Sequence, residues 1–159
     1  MKTASVLTAL LARLATIRVT NGYHSDAGLR VYRTLLGMPL PEALTLPALF
    51  VRLNGVSMDA MNQTRHSDVR ETFSVVIEGA VPVINTTAPD EALLNPLFDV
   101  RTALLAETAF SGLLHGIDPI AMEAASFRLP EGGAALAVVV QPVTFRYAER
   151  YTLAFGVAP

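Results

Sequence analysis

The chain has 159 residues, no cysteine, twelve basic against fourteen acidic side chains and a formal net charge of −2. That length fits one domain able to bury a core without cross-links, and zero cysteine excludes a disulfide scaffold, a cysteine-bearing zinc site and a cysteine nucleophile. The near-neutral charge argues against a protein that lives on nucleic-acid phosphates, so no direct nucleic-acid specificity is expected.

Charged residues make up only 16% of the chain and hydrophobic ones 52%, where ordinary domains carry about 25% charged residues. Part of the surface should therefore be apolar, and large exposed apolar patches mark contacts with proteins or membranes. A spanning helix needs about 20 apolar residues, whereas the longest clean apolar run is Ala134 to Val140; no membrane partner is expected. The first twelve residues hold a lysine and an apolar stretch, but Arg13 interrupts it and no small-x-small cleavage site follows, unlike a signal peptide. The expectation is a soluble protein that buries apolar surface in an oligomer.

Residues 3–18 predict an amphipathic helix, with Val6, Leu7, Leu10, Leu11, Leu14 and Ile17 on one arc. Asn21-Gly22 stops it, with Gly22 as a left-handed cap. A polar link then leads to a short strand over residues 28–36. Three prolines make 37–47 an irregular connection. Residues 48–53 predict a second strand, and the polar stretch 54–67, opened by Asn54-Gly55, a long loop or mobile hairpin tip. From Asp68 to Ala80, Val69, Phe73, Val75, Ile77 and Gly79 share one parity, and Arg70, Thr72, Ser74 and Glu78 the other. That pattern predicts a strand with one face buried and one wet or oligomer-facing.

After a linker over 82–89, Asp90 is the expected N-cap of a second helix over about 90–114, with Pro96 in its early turns. A strand is expected over 121–128 and a turn at Pro130-Glu131-Gly132-Gly133. Two last strands follow, over 134–141 and 143–155. In the second, Val143, Phe145 and Tyr147 alternate with Thr144, Arg146 and Arg150. This order predicts one α+β domain, with two helices on one face of a mainly antiparallel or mixed sheet.

Signals for catalysis are sparse. His24-x-Asp26, His66-x-Asp68 and His115-x-x-Asp118 lack a recognised metal-ligand spacing, and such pairs commonly turn or cap the chain. No nucleophile elbow is present, and Ser57, Ser67, Ser111 and Ser126 have no neighbouring motif to activate a hydroxyl. Gly132-Gly133 precedes a strand, where a phosphate loop must precede a helix. Neither an enzyme nor a cofactor site is expected. Arginine is more telling: eleven of the twelve basic residues are arginines and Lys2 is the single lysine. Arginine is enriched and lysine depleted at interfaces, although a GC-rich coding sequence gives the same bias. Arg70, Arg146 and Arg150 should project from the face opposite the helices, which is either a solvated sheet face or an interface.

Several segments resemble the tail terminator proteins of long-tailed bacteriophages and related prophage elements, the family that includes the lambda minor tail protein U. They are the link Gly22-Tyr23-His24-Ser25-Asp26-Ala27-Gly28 after an amphipathic helix, the passage Pro47-Ala48-Leu49-Phe50-Val51, the strand Thr72-Phe73-Ser74-Val75-Val76-Ile77-Glu78-Gly79 after a polar loop, Asp99-Val100-Arg101 in the second helix, and Val143-Thr144-Phe145-Arg146-Tyr147 near the end. The resemblance implies a virion protein of the tail or neck, assembled in the host cytoplasm, that forms a six-membered ring on the head-proximal end of the tail tube. Its partners would be further copies of itself, the major tail tube protein and the head–tail connector. Met58, Met61 and Arg65 in the polar stretch would suit an adaptable protein contact. The alternatives are a neighbouring neck or tail-completion protein and, from another class, a small cytosolic enzyme or ligand-binding α+β domain.

Overall fold

A computed structural model describes residues 2–41, 43–59, 68–83, 87–106, 110–129 and 135–150. Its elements are α1 (Lys2–Leu14), β1 (Val31–Leu35), β2 (Ala48–Asp59), β3 (Asp68–Pro82), α2 (Pro89–Leu105), β4 (Ile120–Met122), β5 (Ser126–Arg128) and β6 (Leu136–Arg150). The strands form one mixed sheet in the order β1-β2-β3-β6, with β4 and β5 following each other along the outer side of β6. Among the described residues only the β1–β2 pair is parallel. The class is α+β, as the pattern predicts.

Both helices cover one face. Val6, Leu7, Leu10 and Leu14 of α1 meet Leu49 and Val51 of β2, Phe73, Val75 and Ile77 of β3, Val143 and Phe145 of β6, and Val100 and Leu104 of α2. Burying each such side chain stabilises the fold by roughly 1.5–3 kcal/mol, so this layer is the main core. α1 stops at Leu14, short of the Ile17 that ends the predicted stripe. Tighter bonds from Thr16 to Arg13 and from Ile17 to Leu14 then turn the chain, and Ile17 stays buried. Gly22 is left-handed (φ 88°), but it closes the short 3-10 turn Val19–Asn21 rather than α1.

α2 begins with Pro89 at its first position, where a missing N–H costs nothing, with Ala88 rather than Asp90 as N-cap. Asp90 and Glu91 occupy the first turn, the favoured end for acidic side chains. Pro96 sits inside the helix, buried, and a Cβ built on Gly79 of β3 would lie 3.2 Å from its Cβ. The helix ends at Leu105, not near residue 114; Phe110 to Leu113 form a separate turn whose Phe110 returns to the core.

The polar stretch after Leu53 is not a loop from its start. β2 runs to Asp59, with a bulge at Asn54 between Leu53↔Val75 and Gly55↔Ser74. The bulge shifts the parity, which hides the alternation in the sequence. Val56 and Met58 pair with Phe73 and Glu71 and so lie on the helix side. Residues 60–67, with Met61 and Arg65, lie outside the described residues.

β6 crosses Pro142 without a break, where two strands were expected. Pro142 accepts the Glu123 N–H at 3.2 Å, so its backbone polar edge faces β4 and β5, not β3. The N–H it lacks falls where the edge pairing lapses between Met122 and Ser126. The Gln141 side chain supplies a donor there instead: its Nε2 lies 2.8 Å from the Glu123 carbonyl, while Arg101 Nε holds its Oε1 at 2.9 Å.

Candidate functional site

Three polar clusters are candidates for chemistry. Asp99 of α2, almost fully buried, accepts from His24 N and Nδ1, each at 2.9 Å, and from Ser25 Oγ at 2.6 Å. Serine and histidine both bond the carboxylate and not each other, so no base withdraws the serine proton and the group is not a nucleophilic relay. It is a clamp that ties the link after α1 to α2, and it joins two segments, 22–28 and 99–101, that carry the resemblance.

The second cluster lies on the face away from the helices. Glu78 of β3 accepts from Arg52 Nε at 2.7 Å with one oxygen and from Arg128 with the other. Arg52 Nη1 also donates to the carbonyls of Leu35 and Met38. Arg52 and Glu78 are buried because the connection 36–47 lies over them: Leu40, Leu44 and Leu46 pack on Ala48, Phe50, Ala80 and Val138. By parity Glu78 belongs to a face expected to be wet or oligomer-facing. The correction follows from the parallel β1–β2 pair, which needs a crossover of about a dozen residues. That crossover covers the part of the outer face formed by Ala48, Phe50, Ala80 and Val138.

The third cluster holds the start of α1. Thr3 Oγ1 bonds the Tyr147 hydroxyl and lies 3.4 Å from Glu71, and the Lys2 amide donates to Glu149. Burial pushes the Tyr147 phenol up to about 12; the bond with Thr3 opposes this and the Glu71 and Glu149 carboxylates add to it. The folded chain therefore keeps this proton to a higher pH than the unfolded chain. Stability is full below about pH 10 and falls by roughly 2–3 kcal/mol as pH rises toward 12. Denaturant titrations across that range should show the loss, and Tyr147→Phe should remove this component of it.

Among the described residues no three His, Asp or Glu side chains come together so as to hold a metal ion, and no described helix is long and apolar enough to cross a membrane. His115 and Asp118 are exposed in a turn beside β6, where the His115 amide donates to the Arg146 carbonyl. Ser57, Ser111 and Ser126 are exposed; His66, Ser67 and the side chain of Asp68 lie outside the described residues.

The surface is more informative. Arg70 and Arg146 are exposed on the outer face, and the pairings Arg70↔Ala148 and Thr72↔Arg146 make them diagonal neighbours there. Arg150 ends β6 opposite Asp68 in register, and its side chain is not described. Exposed apolar side chains lie at several places, Ile117, Leu105 and Phe98 among them, and two groups of them sit at the edges of the sheet on its helix side. At one edge β1 stops opposite Leu53, and among the described residues nothing pairs with β2 on that side beyond it. Leu35, Val56 and Met58 are 56%, 50% and 60% exposed there. At the other edge a groove of about 490 Å³ lies between the first turns of α2 and β5, lined by Leu93, Leu94, Phe127 and Leu129. Phe127 is 46% and Leu129 67% exposed. Of the interface candidates read from the sequence that the structure describes, Met58 falls in one patch and Arg70 and Arg146 in neither. The groove was missed because strand 126–128 shows no alternation long enough to read.

No protein-family model matches the chain, and no curated protein sequence matches it.

Proposed function

We propose that the chain is a structural subunit that closes into a ring, and that the ring caps the head-proximal end of a phage tail tube, stops its polymerisation and offers the surface that joins the head connector. The observation that carries the ring is the pair of unlike apolar patches at opposite edges of one sheet. Contact between two different patches is head-to-tail, and such contacts close into rings when the rotation closes. A two-fold dimer would use one self-complementary patch. The tail end as the ring's location rests on the resemblance of the segments named above. In this reading the outer face with Arg70 and Arg146 is left for the tube or connector, and no catalytic step or cofactor is involved.

Two measurements test it. Sedimentation and electron microscopy of the purified chain should give a hexameric mass and rings. Added to a growing preparation of purified tube subunit, the chain should halt elongation and leave a ring at one end of each tube. Tubes that grow to the same lengths with and without it would sink the tail reading, and a monomer under all conditions, tubes included, would sink the ring.

A further inference from the structure

Each edge of the sheet ends in strands with one open side. Among the described residues β1 has only β2 as a neighbour, and β4 and β5 have only β6. None of the three contains the lysine or proline that often guards an open edge. The ladders fix which backbone groups face outward. Leu49 N donates to the Arg30 carbonyl and Leu36 N to that of Leu53, so the even-numbered residues of β1 bond β2. Val31, Arg33 and the Leu35 N–H therefore aim at the open side, while the Leu35 carbonyl is taken by Met38 N and Arg52 Nη1. At the other edge Glu123 N donates to the Pro142 carbonyl and Arg146 N to that of Pro119, so the even-numbered residues of β6 face β4 and β5. Met122 and Phe127 pair with the odd-numbered Val143 and Val139, and their backbone groups point outward. Across the sheet, Val31 is level with Leu49, Gly79, Val139 and Phe127, and Leu35 with Leu53, Val75, Val143 and Met122.

We infer that β1 of one copy pairs with β5 and β4 of the next, so that the sheet runs on from subunit to subunit. β1 runs in the direction of β2 and β6, and β4 and β5 run against it. Copies related by rotation about an axis along the strands thus form an antiparallel ladder. Such a rotation moves nothing along the strands, so each residue meets the one at its own level: Val31 meets Phe127 and Leu35 meets Met122. In both pairs the outward backbone groups coincide, and both side chains are apolar and on the helix side, where Leu35 is 56% and Phe127 46% exposed. On the outer face Arg30 comes level with Arg128, but the Arg128 guanidinium bonds Glu78 of β3 and is held back from the edge. The occupant is a second copy because level, strand direction and outward backbone groups of one edge all match those of the other. A two-fold β1–β1 ladder about the middle of the strand would set Arg33 against Arg33, which like charges oppose. The inference rests on the ring reading and adds to it the strands that meet.

Disulfides between copies test it, since the chain has no cysteine of its own. Tyr32 and Ser126 share a level and aim their backbone groups inward, so across the contact they form a non-hydrogen-bonded pair with Cα atoms about 4.5 Å apart, within reach of a disulfide. Within one chain they lie four strand spacings apart, about 19 Å, and cannot be bridged. Tyr32→Cys with Ser126→Cys, oxidised where the unaltered chain is assembled, should give a covalent ladder up to the hexamer on a non-reducing gel. Thr34→Cys with Ser126→Cys is two residues out of level, about 8 Å between Cα atoms, and should give almost none. Val31→Pro should weaken assembly about tenfold relative to Val31→Ala, because proline alone lacks the outward N–H. Circular dichroism should show both folded, and the disulfide result stands without them. A matched pair that fails to link while the unaltered chain forms rings would overturn the strand pairing and leave the ring standing. So would a shifted pair that links equally well, or dimers from Tyr32→Cys alone. Ladders that run past the hexamer without closing would support the pairing and overturn the ring. An unaltered chain that stays monomeric at every concentration and with tubes would overturn both.

Discussion

A chain carrying Gly28→Ala will lose about 3–5 kcal/mol of stability, a large share of the roughly 5–15 kcal/mol that holds a domain folded. Gly28 lies in the short 3-10 turn Ala27–Leu29, and its amide donates to the Ile17 carbonyl at 2.9 Å. A Cβ there would stand 2.4 Å from the Leu14 carbonyl oxygen, 2.6 Å from that of Ile17 and 2.8 Å from the Ile17 nitrogen. All three are backbone atoms, so no rotamer change relieves the clash. Lifting the turn off the end of α1 would uncover Ile17 and Ala27 and draw His24 and Ser25 away from Asp99. Gly22→Ala is the control. Gly22 has the left-handed φ of 88° but nothing within 4 Å of its would-be Cβ, and it should cost only about 1 kcal/mol. Urea midpoints for the two variants check this; equal shifts would mean that the close approach does not set the requirement at Gly28.

In the sequence Gly28 reads as the start of a strand over 28–36 and as the end of the segment Gly22 to Gly28 that carries the resemblance; its constraint was hidden because it comes from the end of α1 at Leu14 and from Ile17, outside both. The same division runs through the whole chain. The apolar stripe of α1 and the alternation of β3 are local, and they were legible: Phe73, Val75 and Ile77 lie against the helices as their parity requires. Glu71 shares that parity and is buried too, at the start of α1 beside Tyr147 and Thr3. A carboxylate in that series reads as an interruption until the helix end it serves is known.

What the sequence hid was long-range pairing. β2 looks too short because the bulge at Asn54 breaks its period and because Asn54-Gly55 reads as a turn. β6 looks like two strands because Pro142 reads as a stop, although its missing N–H points to an edge where Gln141 supplies a donor. Glu78 looks wet or oligomer-facing because nothing local signals that the connection after β1 crosses over it and Arg52. The edge groove combines residues from α2 and from a three-residue strand, so no single window of sequence contains it.

The buried ion pair gives the second large effect and links stability to assembly. Glu78→Ala will leave the Arg52 guanidinium, whose side chain is only 6% exposed, without a counter-charge beneath the crossover. Removing one partner of a buried pair costs about 3–5 kcal/mol, whereas replacing both by apolar residues is often neutral. Arg52→Leu with Glu78→Leu should therefore recover most of the loss, less the bonds from Arg52 to the Leu35 and Met38 carbonyls, worth about 1–3 kcal/mol. Arg128, more than half exposed, keeps its hydration when Glu78 is gone. Those two carbonyls lie where β1 ends and the crossover begins, next to the Leu35 side chain of the proposed contact edge. The double variant should thus be more stable than Glu78→Ala but remain about 1–3 kcal/mol below the wild type, and it should assemble more weakly, because Arg52 no longer fixes the end of β1. A double variant that recovers both stability and ring mass would show that the ion pair serves the core alone and does not position the edge.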